Sequence, residues 1–330
     1  MKPLTEMVVL VTPRSFGIDD PSLREELEAA VGEVRYNERG RPLRADELRS
    51  EIEGVDGMIA GLDDIDASVL RQASRLRVIA RYGVGTNNVD LEAATSQGVM
   101  VTNTPSANTQ AVAELTIGLF FALARSIPQV DEAVHNGEWP TRRGIEVAGR
   151  TVGMLGFGRI GQAVARHARA LGCAVVAHDP YADEATAEAQ NIRLDSLDAV
   201  LDVADFLSLH LPVTAETGGM VDYSFLQRMK PGGYLVNTAR GELVVEEDLI
   251  RALDEGLLRG AALDSLREEP PPPGHPFLAR SDIILTPHMG AHTVEAAAAM
   301  GRDALVDLLA VLNGQSPRFP VISLRGGSAQ

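Results

Sequence analysis

Four segments of the chain carry residue types at spacings that can do chemistry. The first, Thr151-Val152-Gly153-Met154-Leu155-Gly156-Phe157-Gly158-Arg159-Ile160-Gly161, is an apolar run entering Gly-x-Gly-x-x-Gly. At a strand–turn–helix junction Gly156 permits the tight turn and Gly158 lets backbone approach a pyrophosphate, while Gly161 allows close packing of helix on strand. The helix that follows offers unpaired N–H groups and the positive end of its dipole to phosphates. The next apolar run, Ala174–His178, ends at Asp179, eighteen positions beyond Gly161, where an acidic side chain meets ribose hydroxyls. A carboxylate there repels a 2′-phosphate, and Pro180-Tyr181-Ala182-Asp183-Glu184 supplies no arginine to compensate. The expected cofactor is NAD, not NADP.

The other three segments each follow an apolar run: Asn237-Thr238-Ala239-Arg240-Gly241, Asp264-Ser265-Leu266-Arg267-Glu268-Glu269-Pro270 and Thr286-Pro287-His288-Met289-Gly290-Ala291-His292-Thr293. Between them they hold what hydride transfer to a 2-keto acid requires. That is a cation for the carboxylate and carbonyl, an acid–base group for the oxygen proton, and a neighbour that tunes that group. Ligands bind at the carboxyl ends of parallel strands in sheets of this kind.

These segments need a scaffold, and the patterning supplies one. Strands are predicted at Val8–Thr12, Gly57–Ala60, Arg77–Arg81, Val99–Thr102, Thr151–Leu155, Ala174–His178, Phe206–His210, Gly233–Val236, Ala261–Asp264 and Ile283–Thr286. Amphipathic stretches lie between them at Pro21–Val31, Ile160–Leu171, Glu246–Glu255 and Thr293–Leu312, and an apolar helix is predicted over Ser106–Arg125. Strand–helix alternation means parallel sheets joined by right-handed crossovers. The 330 residues suit two domains, and 45% hydrophobic with 23% charged residues is an ordinary globular composition.

Lys and Arg number 30 against 46 Asp and Glu, a net charge of −16 that argues against a nucleic-acid or anionic-membrane partner. One cysteine, Cys173, excludes an internal disulfide framework and a multi-cysteine metal site, and its apolar surroundings suggest packing. The longest apolar stretch, Leu115–Ala124, is too short to span a bilayer, and the first fifteen residues lack the apolar core of a signal peptide. A cytoplasmic protein is expected.

Ordered motifs over roughly residues 5 to 325 resemble the D-isomer-specific 2-hydroxyacid dehydrogenases, above all their 3-phosphoglycerate dehydrogenase branch. They are Arg81-Tyr82-Gly83-Val84-Gly85-Thr86-Asn87-Asn88-Val89-Asp90, Asn103-Thr104-Pro105-Ser106-Ala107-Asn108, Val112-Ala113-Glu114 and the four segments above. The resemblance implies an α/β fold of two Rossmann-like domains with parallel sheets and a cleft between them. The substrate domain, flavodoxin-like and discontinuous, takes residues 1–104 and 293–330, and the NAD-binding domain takes 105–292.

It also implies roles. Arg240 grips substrate carboxylate and carbonyl; His288 is general acid in reduction and base in oxidation; Glu269 orients His288 and favours its charged form. Asp264 meets the nicotinamide carboxamide, Arg159 and Ile160 the pyrophosphate, and Leu211 and Thr238 line the cofactor site, with Gly290 beside it. Val84 and Gly85 face the substrate carboxylate with backbone groups, and Arg81 matches an arginine on the phosphate side. No catalytic metal is implied; His292 is read as a helix-start residue and His210 as packing near the cofactor.

The chain departs from the family pattern at Ser265-Leu266, where Val-Phe is usual, and at His292, where a small residue is common. Ala60-Gly61-Leu62-Asp63-Asp64-Ile65 lacks the Arg-Ser-x-Thr-Lys pattern found near a substrate phosphate. A small 2-keto or 2-hydroxy acid with a second anionic group is expected, with Arg142 and Arg143 resembling positions that reach a neighbouring subunit's site. A homodimer is expected through Ser106–Arg125 and Pro128–Arg143, and no serine-binding regulatory domain beyond the last helix. The alternatives are a hydroxypyruvate or glyoxylate reductase, a phosphite-dehydrogenase-like enzyme, and an NAD-sensing binding protein of the corepressor type.

Overall fold

The β-branched runs of the first hundred residues form five strands: β1 (Val8–Val11), β2 (Glu33–Tyr36), β3 (Gly57–Ala60), β4 (Val78–Arg81) and β5 (Met100–Thr102). They pair in parallel in the order β2-β1-β3-β4-β5. Side chains alternate across the sheet. Val9 and Val11 pack with Leu23, Leu27, Leu305 and Leu308 on one face, and Leu10 packs with Leu48, Ile52 and Val69 on the other. Strand β2 was not predicted. Its sequence Glu-Val-Arg-Tyr is charged and only partly buried, as an edge strand tolerates, so no apolar run marks it.

Seven more strands follow: β6 (Thr151–Leu155), β7 (Ala174–His178), β8 (Arg193–Leu194), β9 (Phe206–Leu209), β10 (Gly233–Asn237), β11 (Leu258–Leu263) and β12 (Ile283–Leu285). Their sheet is parallel, in the order β12-β11-β10-β9-β6-β7-β8. Strand β8, two residues at the other edge, was also unpredicted. Phe206 stacks on Tyr234 with ring centroids 5.1 Å apart and anchors one face of the core with Phe120, Val152 and Val164. Leu207, Leu209, Leu235, Leu249 and Leu253 fill the other face.

This computed structural model describes residues 2–322. The chain divides into two units, Met1–Asn108 with Ala291–Gln330, and Thr109–Gly290. The expected helix over Ser106–Arg125 begins at Thr109. Thr104 N–H is bound to Gly83 O and Ala107 N–H returns to Thr104 O, so residues 105–108 form a turn. The last helix runs Val294–Leu312, capped by the Thr293 hydroxyl, which accepts from Ala296 N–H at 3.1 Å. Cys173 is buried against Val147 O. Among the described residues no single helix is long and apolar enough to cross a membrane. The helices Thr109–Arg125 and Ile127–His135 pass that test only as a pair, bent by 64°.

In the first unit one buried carboxylate organises the carboxyl ends of β1 and β3. Asp63 is fully buried; its carboxylate accepts from Leu43 N–H at 2.8 Å, from Gly61 N–H at 2.9 Å and from the Thr12 hydroxyl. Asp63→Ala leaves Leu43 N–H without a partner in the interior and removes the stronger acceptor of Gly61 N–H and the Thr12 hydroxyl, which fall back on Thr12 Oγ1 at 2.9 Å and Ile59 O at 3.4 Å. We expect a loss of about 3 kcal/mol of stability, measured by urea unfolding of the whole chain. An unchanged unfolding midpoint would contradict this account of the loop.

Candidate active site

The glycine-rich turn lies between β6 and β9, the point where the strand order reverses and a crevice forms in such sheets. Gly156 has φ +95°, and a Cβ there would lie 2.4 Å from His210 O at the end of β9. No other residue fits so close an approach. A Cβ on Gly161 would meet Gly156 O at 2.4 Å, so the Arg159–Ala170 helix starts directly on the turn. At Gly158 a Cβ would meet nothing within 4 Å, which leaves open space at the helix N-terminus. Arg159 is exposed and Ile160 half-buried beside it.

Asp179 follows β7, and its Oδ2 accepts from Phe157 N–H at 2.8 Å while Oδ1 accepts from Tyr181 N–H at 2.9 Å. The carboxylate is therefore fixed against the glycine turn. Open space before a helix N-terminus, backed by a fixed carboxylate, is a donor and acceptor set that fits NAD. Leu211 follows β9, half-buried. Thr238 lies in the turn after β10, where its hydroxyl meets that of Thr116 at 2.9 Å. Thr116 already donates to Val112 O, so Thr238 is the donor of that bond. Burial pushes the His210 imidazole down to about 4, so it is neutral and its Nε2 pairs with the Ser208 hydroxyl at 2.9 Å.

The sheet order sets the ends of β10, β11 and β12 side by side, and with them the three remaining segments. After β10, Asn237 Nδ2 donates to Arg240 O at 2.7 Å, and Ala239 N–H donates to Asn237 Oδ1 at 3.0 Å. That turn sets the half-buried Arg240, whose guanidinium burial pulls below its ordinary value, with the charges of Glu242 and Glu269 opposing. After β11 comes Asp264, 1% exposed. Its carboxylate accepts from the Thr286 hydroxyl at 2.6 Å, Met289 N–H at 2.9 Å and Gly290 N–H at 2.8 Å. The carboxylate assigned by resemblance to the nicotinamide carboxamide thus has both oxygens engaged by the loop after β12. A Cβ on Gly290 would lie 3.0 Å from Asp264 Oδ2, so this glycine closes the loop on the carboxylate.

Within that loop His288 has φ +50°, a left-handed conformation that is uncommon away from glycine. Its N–H donates to Asp264 O and Thr286 O, both at 2.9 Å. Its Nδ1 lies 2.7 Å from Glu269 Oε2, and a carboxylate only accepts, so Nδ1 carries the proton. Nε2 is left as the ring nitrogen for a reaction partner. The side chains of His288 and Glu269 are 26% and 32% exposed, open enough for a small substrate.

Arg81, Val84, Gly85 and His292, also singled out in the sequence, belong to the other unit. Arg81, 2% exposed, donates from Nη1 to Ala60 O and Gly61 O and from Nε to Gly85 O at 3.0 Å. Expected to meet a substrate phosphate, it is instead inside, drawing in backbone carbonyls. Gly83 O accepts from Thr104 N–H at 3.0 Å and Val84 O from Asn103 Nδ2 at 2.8 Å. In trans peptides the N–H opposes the preceding C=O, so the Val84 and Gly85 N–H groups point away from those two carbonyl partners. His292 is exposed just before the N-cap Thr293. Asn237, Thr286 and Thr116 escaped prediction as site residues; Asn237 and Thr286 stand inside the quoted motifs, whereas nothing in the sequence singles out Thr116.

Residues 117–290 match the family model described as D-isomer specific 2-hydroxyacid dehydrogenase, NAD binding domain. The chain is 39% identical over 302 residues to a D-3-phosphoglycerate dehydrogenase of Methanocaldococcus jannaschii, covering 90% of this chain and 57% of that one. It is 36% identical to a glyoxylate reductase of Thermofilum pendens, covering 91% of each. The crystal structure of the TT0316 protein from Thermus thermophilus superposes with a TM-score of 0.85 at 40% identity, over 96% of this chain and 100% of that one. The chain spans about half the length of the phosphoglycerate dehydrogenases it matches first. NAD is the cofactor of the matched domain.

A carboxylate fixed at Asp179 would repel a 2′-phosphate brought beside it. At roughly 6 Å and an effective dielectric near 20, one such repulsion is worth on the order of 100-fold in affinity. Asp179→Asn is expected to erase most of the preference for NADH over NADPH, read by fluorescence titration with each. Equal affinities in the unaltered protein would refute the assignment.

Proposed function

The chain belongs to the D-isomer specific 2-hydroxyacid dehydrogenase family, and on that premise we propose that it interconverts a small 2-keto acid and its D-2-hydroxy acid. The observation that carries this reading is the Glu269–His288 pair, held at the carboxyl edge of the NAD-domain sheet by buried Asp264. NAD(H) bound at the glycine turn supplies or accepts the hydride. Arg240 holds the substrate carboxylate and polarises the 2-oxo group. In reduction His288, charged, gives its Nε2 proton to the forming alkoxide; Glu269 keeps Nδ1–H in place and stabilises that charge. In oxidation the neutral ring takes the hydroxyl proton at Nε2. His210, held neutral, has no part in that proton transfer.

Two substrate classes have support. A second anionic group on the substrate is favoured by Arg142 and Arg143, both exposed, and by the phosphoglycerate dehydrogenases among the relatives. Glyoxylate or hydroxypyruvate is favoured by the burial of Arg81, which removes one cation from the set available to a phosphate. The same proposal includes a cytoplasmic homodimer. The Ile127–His135 helix buries none of its residues, and Trp139 beyond it is 89% exposed, an apolar surface suited to a second copy.

NADH oxidation followed at 340 nm with phosphohydroxypyruvate, hydroxypyruvate, glyoxylate and 2-ketoglutarate decides between the classes. His288→Ala is expected to lower kcat by about 10²–10⁴-fold with NADH binding retained, and Arg240→Ala to raise KM for the acid as well. Full activity in His288→Ala would overturn the assignment of the acid–base group.

A further inference from the structure

The Glu269–His288 pair is itself held by a second histidine–carboxylate pair. The loop after β11 carries Glu269, whose Oε1 accepts from Leu266 N–H at 2.9 Å. The next amide, Arg267 N–H, donates to Glu246 Oε1 at 3.3 Å. Glu246 opens the Glu246–Asp254 helix, where a carboxylate is favoured by the dipole, and its Oε2 lies 3.1 Å from His275 Nε2. His275 Nδ1 accepts from Phe277 N–H at 3.3 Å, so the ring proton stands on Nε2 and is donated to Glu246. Phe277 is buried and meets the imidazole edge to face, centroids 5.0 Å apart, which fixes the plane of the ring.

The same stretch of loop is pressed from another side. A Cβ on Gly241 would lie 2.0 Å from the carbonyl carbon of Leu266 and 2.4 Å from Arg267 N. The Leu266–Arg267 peptide is therefore gripped between the backbone that follows Arg240 and the carboxylate of Glu246. A shift at this peptide carries Glu269 with it through the Leu266 N–H, and alters the field at Arg240, on which Glu269 acts. Misplacement of a reacting group by about 1 Å costs on the order of 100-fold in rate.

We propose that His275 and Glu246 are positioning residues for the Glu269–His288 pair, a latch that sets the loop from which Glu269 reaches His288. The inference rests on the dehydrogenase reading of that site. The two ring nitrogens separate the latch from a merely structural role. His275→Gln places an amide N–H near the Nε2 position and preserves donation to Glu246. His275→Asn keeps an acceptor near the Nδ1 position for Phe277 N–H but falls short of Glu246.

Both variants of the full chain are compared for kcat, KM for NADH and amide hydrogen exchange, with His288→Ala as the inactive reference. For the latch, His275→Asn loses about tenfold or more in kcat at unchanged KM for NADH, with faster exchange at Leu266 and Arg267. His275→Gln stays within about threefold of the unaltered protein, with faster exchange at Phe277 alone. Unchanged kcat and unchanged Leu266 and Arg267 exchange in His275→Asn overturn the proposal, as does greater damage to kcat in His275→Gln. If the unaltered chain reduces no 2-keto acid, the dehydrogenase reading fails, and the exchange at Leu266 and Arg267 still decides for or against the latch.

Discussion

The carboxylate of Asp264 is the constraint on which the candidate site depends. It is buried at the end of β11, where an unpaired charge is costly, and three donors from one loop satisfy it. In meeting that requirement the loop after β12 wraps around Asp264 and places His288 in a left-handed conformation that its own residue type does not favour. The strain is local, while the bonds that hold it reach from Thr286 to Gly290. A histidine on an ordinary turn would swing through several rotamers. This one has its backbone fixed by Asp264 and its Nδ1 by Glu269, which leaves one ring nitrogen for chemistry.

The dinucleotide turn shows the same economy of contact. Gly156 and the carbonyl of His210 approach so closely that β6 and β9 must end together, and Asp179 ties Phe157 to the end of β7. Three strand ends are thus fixed at the point where the strand order reverses. The acid–base segments follow the three strands β10, β11 and β12 on one side of that point. Parallel strands separated by about 4.8 Å turn residues far apart in the chain into neighbours, which is how Arg240, Glu269 and His288 come to share one edge.

Much of this was legible in the chain, for physical reasons. Buried parallel strands read as apolar runs, and turns that carry glycine or cap a helix announce themselves by residue type; β6, β7, β10 and the Arg159–Ala170 helix were all placed that way. The edge strands β2 and β8 were not, because a strand half in water needs no apolar signature. Long-range side-chain bonds leave no local trace either. Nothing near Thr286 points to Asp264, 22 residues earlier, and nothing in the His275 segment points to Glu246, 29 residues earlier. Arg81 was matched by resemblance to an arginine on the phosphate side, whereas its place at the buried end of β4 makes the backbone carbonyls its partners.

That reversal bears on how so acidic a protein would hold the acidic substrate proposed for it. With a net charge of −16, an exposed arginine at the site competes with the field of the whole molecule. A buried guanidinium acts differently. Arg81 draws the Ala60, Gly61 and Gly85 carbonyls toward itself, while the Gly83 and Val84 carbonyls, whose peptides carry the Val84 and Gly85 N–H groups, are held by Thr104 N–H and Asn103 Nδ2. Peptide N–H groups fixed in this way carry partial positive charge and would need no reorganisation to meet an anion. In the proposed reaction Arg240 supplies a full charge, and partial burial keeps its field from being screened. Arg81 thus spends its charge on the backbone around it, as a guanidinium buried at a strand end must when carbonyls are the acceptors within reach.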